Sequence, residues 1–123
     1  MLFEDDFIYF YSRKDAIEDG DLVDVTSVAQ EAGFRFPVAI TRAVHEDIKN
    51  IPDSQSHQDY DGRLWDVLYM LMHNIKSSKE KVSTLHYELI MHTPGQEMYK
   101  LKSVCGPGDD MEPVITIMLP DED

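Results

Sequence analysis

Residues 84–119 read TLHYELIMHTPGQEMYKLKSVCGPGDDMEPVITIML, and this stretch decides the fold. It holds three runs in which apolar and polar residues alternate at a period of two, the pattern of half-buried β-strands. The runs are separated at residues 93–96 and 106–110 by short segments rich in Pro, Gly and Asp, which favour turns. Consecutive strands joined by short turns form an antiparallel meander. We therefore expect a C-terminal three-stranded antiparallel meander over about residues 84–119.

Upstream of this stretch, capping residues and apolar spacing predict four helices. Ser12 and Gly20 are typical of the two ends of a short helix, and Pro37 suits the first turn of a longer one. The predicted helices cover about residues 13–19, 27–32, 37–50 and 63–76. Packing these helices on one face of the meander gives an α+β fold, with residues 1–123 forming a single domain.

The remaining segments are assigned from composition. Residues 7–11 are aromatic and β-branched and predict a buried strand, and residues 22–25 predict a brief extended segment. Residues 51–61 are mostly polar and predict a mobile surface loop. The acidic residues 121–123 predict a frayed tail.

The net charge of −13 is concentrated at the two ends of the chain. Residues 1–31 hold nine acids and two bases, and residues 105–123 hold six acids and no base. The middle of the chain balances nine acids against nine bases. This distribution argues against direct nucleic-acid binding and against attachment to an anionic membrane, both of which need a basic surface. It favours a basic protein partner, or serves only solubility.

The cysteine count and the N-terminus bear on the compartment. Cys105 is the chain's only cysteine, so no intrachain disulfide is expected. The N-terminal residues lack the basic start and the small-residue cleavage site of a signal peptide, and no apolar run is long enough to span a membrane. These features predict a cytoplasmic protein.

No residue pattern supports catalysis, a metal or a cofactor. His86, Glu88 and His92 share one strand face, but residues six apart on a strand lie roughly 20 Å apart, too far for one ion. Cys105 is followed by acids that disfavour the thiolate. Nucleophile elbows, phosphate loops and dinucleotide glycine patterns are absent from the sequence. We therefore predict a non-enzymatic protein with neither cofactor nor metal site.

The acidic ends are the strongest candidate site. Carboxylates near phosphate spacing present a nucleic-acid-like face to a basic groove, whereas the simpler interpretation is a solvated acidic surface. The candidate partner-binding residues are Asp5, Asp6, Glu18, Asp19, Asp21, Asp24, Asp109, Asp110 and Glu112. The partner they would fit is a basic protein surface, such as a nucleic-acid-binding groove. A shared binding face requires that folding brings the two ends together.

Several sequence blocks resemble one family. They are residues 16–20 (AIEDG), 22–25 (LVDV), 31–39 (EAGFRFPVA), 41–44 (TRAV), 61–68 (DGRLWDVL), 106–110 (GPGDD) and 112–120 (EPVITIMLP). The chain resembles an uncharacterised family of small proteins encoded by conjugative plasmids, phages and bacterial genomes. It departs from that family in residues 51–60 and 77–100, where the family is richer in arginine. The resemblance implies a mobile-element context, in which acidic nucleic-acid mimics that block restriction or CRISPR-type defences are known; it transfers no catalytic residue.

Two alternatives remain. A small accessory or regulatory domain could bind a partner through apolar surface, either part of the helix carrying Trp65, Tyr69 and Met72 or an unpaired edge strand. Dimerisation through either would fit. An enzyme would require a deep pocket that assembles two or more of His45, His57, His73 and Cys105.

Overall fold

The computed structural model describes residues 11–79 and 82–123. These residues form four α-helices, a 3-10 turn and a five-stranded sheet, which confirms the α+β class. The elements are α1 (Arg13–Asp19), β1 (Leu22–Asp24), α2 (Thr26–Glu31), β2 (Val38–Thr41), α3 (Arg42–Lys49), the 3-10 turn (Asp53–Gln55), α4 (Tyr60–Ser77), β3 (Thr84–Thr93), β4 (Gln96–Pro107) and β5 (Pro113–Met118). Of the strand predicted at residues 7–11, all but Tyr11 lies outside the described residues.

The sheet is mixed, with the strand order β1-β2-β5-β4-β3. β3 pairs antiparallel with β4, placing Tyr87 opposite Leu101, and β4 pairs antiparallel with β5. β5 also pairs in parallel with β2, and β2 pairs antiparallel with β1. The predicted meander is thus confirmed only in part, because its last strand lies inside a larger sheet. Short turns reveal antiparallel neighbours in a sequence, whereas a parallel pair is joined by a long crossover that gives no such local signal.

The prediction of one helix over residues 37–50 is wrong in its first part. Val38–Thr41 is a strand buried at all four positions, and α3 begins only at Arg42. Thr41 ends the strand and caps the helix, since its side chain accepts the backbone N–H of Val44 at 3.4 Å. A strand covered on both faces reads as a continuous apolar run without alternation, and the fourfold spacing of Ile40 and Val44 imitated a helix.

The other helices lie close to their predicted positions. α1 has a capping box between Ser12 and Asp15 and ends at Gly20, whose φ of 84° is left-handed. α2 begins one residue earlier than predicted. α4 begins at Tyr60, before the predicted residue 63, because Asp59 accepts the backbone N–H of Gly62 at 2.8 Å and caps the first turn.

Helices cover both faces of the sheet, so the prediction that all of them pack on one face is wrong for α1. α3 and α4 contribute to the core that also contains Ile115 and Ile117 of β5. Thr116 lies between these two residues, and alternation along a strand directs it to the opposite face. On that face the guanidinium of Arg13, in α1, donates to the Thr116 hydroxyl at 2.7 Å. α1 is therefore held on the face away from the main core.

The main core joins α4 to the sheet. Val67, Leu68 and Leu71 of α4 are fully buried, as are Leu101 and Ile117. Trp65 and Tyr69 on the same helix are 37% and 55% exposed. α4 is therefore covered along the stripe that faces the sheet and open to solvent at these two aromatic residues.

The 51–61 loop and the C-terminal tail both have local structure. Residues 51–61 contain the 3-10 turn Asp53–Gln55, and their mobility stays a prediction. In the tail, Glu122 is half-buried, and its carboxylate accepts the Thr41 hydroxyl and the backbone N–H of Leu119, each at 2.8 Å. The tail is thus held at Glu122, while fraying of the residues around it stays a prediction.

Candidate functional site

The turn between β4 and β5 meets the first turn of α1 at Asp109. Its two carboxylate oxygens accept the backbone N–H groups of Arg13 at 2.8 Å and Lys14 at 3.0 Å. The hydroxyl of Ser12 takes the next N–H, that of Asp15, at 3.0 Å. A carboxylate at a helix N-terminus is stabilised by these otherwise unpaired donors, and they lower the pKa of Asp109 from its ordinary value. One acidic end of the chain therefore caps a helix of the other.

The geometry of the turn itself directs Asp109 toward α1. The Gly108 N–H donates to the Glu112 carbonyl at 2.6 Å, and the Met111 N–H donates to the Gly108 carbonyl at 3.0 Å. A side chain at Gly108 would collide with the Glu112 carboxylate, which accepts the backbone N–H of Asp110 at 3.0 Å. A larger residue at 108 would therefore require the Glu112 carboxylate to move away from this position.

Between this turn and α1 lies an open depression of about 380 Å³. Four of the nine candidate residues line it, and these are Glu18, Asp24, Asp109 and Glu112. They come from α1, β1 and the β4–β5 turn. We call this depression the acidic cleft. Its walls also include Arg13 and Lys14, so it is not purely anionic.

Arg13 is occupied by the fold. It is half-buried, and its guanidinium donates to the Thr116 hydroxyl and, at 2.9 Å, to the Ile115 carbonyl. Burial lowers its pKa, opposed by the charges of Asp24, Asp109 and Glu112. Because its donors point into the sheet, this cation offsets part of the cleft's negative charge without presenting its hydrogen-bonding edge to a partner.

Asp19 and Asp21 are held by contacts beside the cleft. The Tyr11 hydroxyl donates to both carboxylates, which raises the pKa of Tyr11. Asp21 also pairs with Arg42 at 2.6 Å, although both side chains are about half exposed. An exposed pair of this kind contributes little to stability, and its carboxylate is only partly available to a partner.

The other candidate residues have diverse environments. Asp24 accepts the backbone N–H of Thr26 at 3.0 Å, which closes a local turn at the start of α2. Asp110 is exposed on the β4–β5 turn. Asp5 and Asp6 lie outside the described residues.

His73 and His86 line one cavity together with Glu88, whereas Cys105 lines a different one. His45 contacts the Tyr60 hydroxyl through Nδ1 at 2.7 Å. In residues 11–79 and 82–123, no three His, Cys, Asp or Glu side chains come close enough to hold a metal ion. Within the same residues no helix is long and apolar enough to cross a membrane.

Sequence reasoning named Trp65 and Tyr69 as possible apolar surface but missed that Ile90 and Met98 of the sheet lie beside Tyr69. Trp65 and Tyr69 stack at a centroid distance of 6.5 Å, and Tyr69 lines a cavity with Ile90 and Met98. Ile90 is 70% exposed and Met98 is 41% exposed. We call these four residues the aromatic patch. The sequence did carry a signal for the exposure of Ile90, because alternation along β3 places it on the same polar face as His86 and Glu88.

Fold and site define an α+β protein that presents a preformed acidic cleft on one face of a mixed sheet. The chain belongs to a family of unknown function (DUF6573), whose model matches residues 1–123. This confirms the resemblance to an uncharacterised family. Comparison with curated proteins and with solved structures found no significant match.

Proposed function

We propose that this is a non-enzymatic binding protein whose acidic cleft engages a basic surface of a protein partner. The observation that supports it is the capping of α1 by Asp109, which joins the two acidic segments of the chain into one surface. Glu18, Asp24 and Glu112 line the cleft beside this cap, and Asp110 stands exposed next to it.

The architecture favours recognition by fixed charge. The carboxylates of the cleft are attached to a capped helix and a tight turn, so little conformational entropy is lost when a partner binds. Charges arranged in this way steer a basic partner during encounter and suppress acidic ones. The neutral middle of the chain leaves the charge concentrated where the two ends meet.

The finer form of the proposal concerns biological context. A cytoplasmic protein of a mobile element, acting against a CRISPR-type or restriction complex, would use such a cleft to occupy a nucleic-acid-binding groove. The acidity then serves as a mimic of phosphate charge, and the protein itself binds no nucleic acid.

The test is capture of partners from a bacterial lysate by the immobilised full chain at low and high salt. The informative variant is Glu18→Gln, Asp24→Asn, Asp110→Asn and Glu112→Gln together, which leaves the helix cap of Asp109 intact. A control with the same charge change uses the exposed residues Glu31→Gln, Asp53→Asn, Asp61→Asn and Glu97→Gln. We expect the wild type and the control to capture a basic nucleic-acid-binding protein and the cleft variant to lose it. Capture should weaken steeply as the salt concentration rises. Equal capture by both variants, or capture indifferent to salt, would contradict the proposal.

A second candidate function rests on the aromatic patch. Its exposed Ile90 lies on β3, which is an edge strand of the sheet, so a partner or a second copy could dock there through apolar contacts. In that case the cleft variant keeps its partner, whereas Trp65→Ala with Ile90→Ser loses it. Sedimentation velocity of the wild type and of this double variant distinguishes a second copy from a different partner.

A further inference from the structure

The cavity that Cys105 lines has a volume of about 360 Å³ and opens at the C-terminal end of α4. Its lining comes from strands β3, β4 and β5, through Leu85, Cys105 and Ile115, together with Ile75 of α4 and Phe36. The cavity has a mostly apolar lining that includes three serines. We call it the α4-end cavity, and it shares no lining residue with the acidic cleft.

Large apolar side chains stand exposed around this opening. Phe36 is 42% exposed, Ile75 is 40% exposed and Val82 is 49% exposed. Single exposed apolar residues are ordinary, but three around one apolar cavity form a contiguous patch of the kind that marks a binding site.

Three basic residues adjoin the lining of this cavity in sequence, in a protein that is otherwise strongly acidic. Arg35, Lys76 and Lys79 are exposed, and each is next in sequence to a lining residue. Among residues 11–79 and 82–123, no carboxylate forms an ion pair within 4.0 Å of these three cations. Glu80 and Lys81, which follow Lys79, add no net formal charge. The surroundings of the cavity therefore favour an acidic occupant.

We propose that the α4-end cavity binds one large apolar side chain presented by an acidic peptide segment of a protein partner. The volume is near the lower end of the roughly 300–1,000 Å³ typical of ligand pockets, which suits a single aromatic or branched side chain. Carboxylates flanking that side chain would meet Arg35, Lys76 and Lys79, and this charge complementarity selects against basic or neutral segments. The inference goes beyond the acidic cleft, which selects the opposite charge.

Cys105 provides the readout, since it is the chain's only cysteine and lines the cavity. The rate of alkylation by iodoacetamide, a neutral reagent, is followed by intact mass spectrometry. Three peptide probes are compared, Asp-Glu-Phe-Glu-Asp, Asp-Glu-Ser-Glu-Asp and Gly-Ser-Phe-Ser-Gly. We expect the first to slow alkylation at least about fivefold at saturation, by covering the thiol, and the other two to have little effect at the same concentration.

Direct binding of the fluorescein-labelled first peptide is measured by fluorescence polarisation. Replacing Arg35, Lys76 and Lys79 by Gln should weaken binding at least about tenfold, a loss of about 1.4 kcal/mol. A matched control replaces the exposed Lys14, Lys49 and Lys100 by Gln and should bind like the wild type. All six side chains are exposed, so we expect folding to be preserved, and circular dichroism checks it.

Four outcomes would overturn the proposal. They are failure of the first peptide to protect Cys105 at millimolar concentration, equal protection by the serine peptide, equal protection by the neutral phenylalanine peptide, and protection that rises with protein concentration without peptide. The third indicates a neutral apolar ligand and the fourth a second copy of the chain. The acidic-cleft variant should bind the peptide normally, so this test and that of the cleft fail independently.

Discussion

The carboxylate of Asp109 accepts the backbone N–H of Arg13 at 2.8 Å across 96 positions of sequence. Its second oxygen accepts the N–H of Lys14 at 3.0 Å. Arg13 in turn donates through its guanidinium to Thr116 and to the carbonyl of Ile115. α1 is thus fastened to the β4–β5 hairpin at its backbone and at a side chain, and the acidic cleft exists because of this attachment.

Removal of the helix cap should destabilise the protein. Asp109→Ala leaves two N–H groups at the start of α1 without acceptors, so we expect a lower midpoint of denaturation in urea. Asp109→Asn retains one acceptor oxygen, so its midpoint of denaturation should lie between those of Asp109→Ala and the wild type. Asp110→Ala is the matched control, because the Asp110 side chain is exposed on the same turn. A midpoint for Asp109→Ala equal to that of Asp110→Ala would contradict the capping role.

The same cap predicts a dependence of stability on pH. The N–H groups of Arg13 and Lys14 lower the pKa of Asp109 in the folded protein from its ordinary value of 3.8. The stabilisation by the ionised carboxylate is therefore fully present above the pKa of the unfolded chain and is lost as the pH falls through the lower folded pKa. We expect the difference in melting temperature between wild type and Asp109→Asn to be constant near neutral pH and to shrink below pH 3.8. A difference that grows in acid would show that the carboxylate is not the stabilising form.

Met111 occupies a backbone conformation that favours glycine. Its φ is 66° and its side chain is 78% exposed, so Met111→Gly relieves strain and removes no buried contact. We expect the free energy of unfolding to rise by about 0.5 kcal/mol, since about 1 kcal/mol of left-handed strain is partly offset by the greater chain entropy of unfolded glycine. Urea denaturation measures this change. Met98→Gly, at a strand position, should instead lower the stability. A destabilised Met111→Gly would contradict the backbone strain assigned to Met111.

Arg63 is a buried cation with incomplete hydrogen bonding. The residue is 2% exposed, and its Nη2 donates to the His92 carbonyl at 2.6 Å. Its Nε and Nη1 have no hydrogen-bond partner among the described residues. Burial lowers its pKa, and Asp47 and Tyr99 act in the opposite direction. Keeping the Arg63 guanidinium charged in this buried position therefore costs desolvation free energy.

The stability lost when Arg63 is replaced should therefore depend more on the volume of the new side chain than on its charge. Arg63→Met keeps most of the volume and removes the unsatisfied donors, so we expect a stability within about 1 kcal/mol of the wild type. Arg63→Ala should lose about 2–3 kcal/mol, because it also leaves a cavity. Thermal denaturation of the two variants distinguishes them, and equal losses would show that the charge itself is required.

Local signals predicted the elements whose partners are near in sequence. Ser12 and Gly20 marked the two ends of α1, and both caps are present. Tyr87 and Leu101 lie on the predicted inward faces of β3 and β4, opposite each other in the hairpin. These features depend on backbone preferences and on a period that a few consecutive residues reveal.

Local sequence signals failed where the pairing strand is distant in sequence. Residues 38–41 have the spacing of a helix, yet they form a strand because β5 supplies a parallel neighbour more than seventy positions away, with Ile40 beside Ile117. The residues of the candidate site are likewise brought together from distant parts of the sequence. Glu18 and Glu112 were selected for charge alone, and nothing local shows that they line one cleft.

The sequence by itself determined the α+β class, the hairpin of β3 and β4, the limits of α1 and the location of the charge at the two ends of the chain. Only the tertiary structure decided that those ends meet, because the contact of Asp109 with Arg13 joins segments separated by most of the chain. The position of β2 between β1 and β5 was decided in the same way. Local preferences act over a few residues, whereas strand order and the acidic cleft follow from how the whole chain buries its apolar surface.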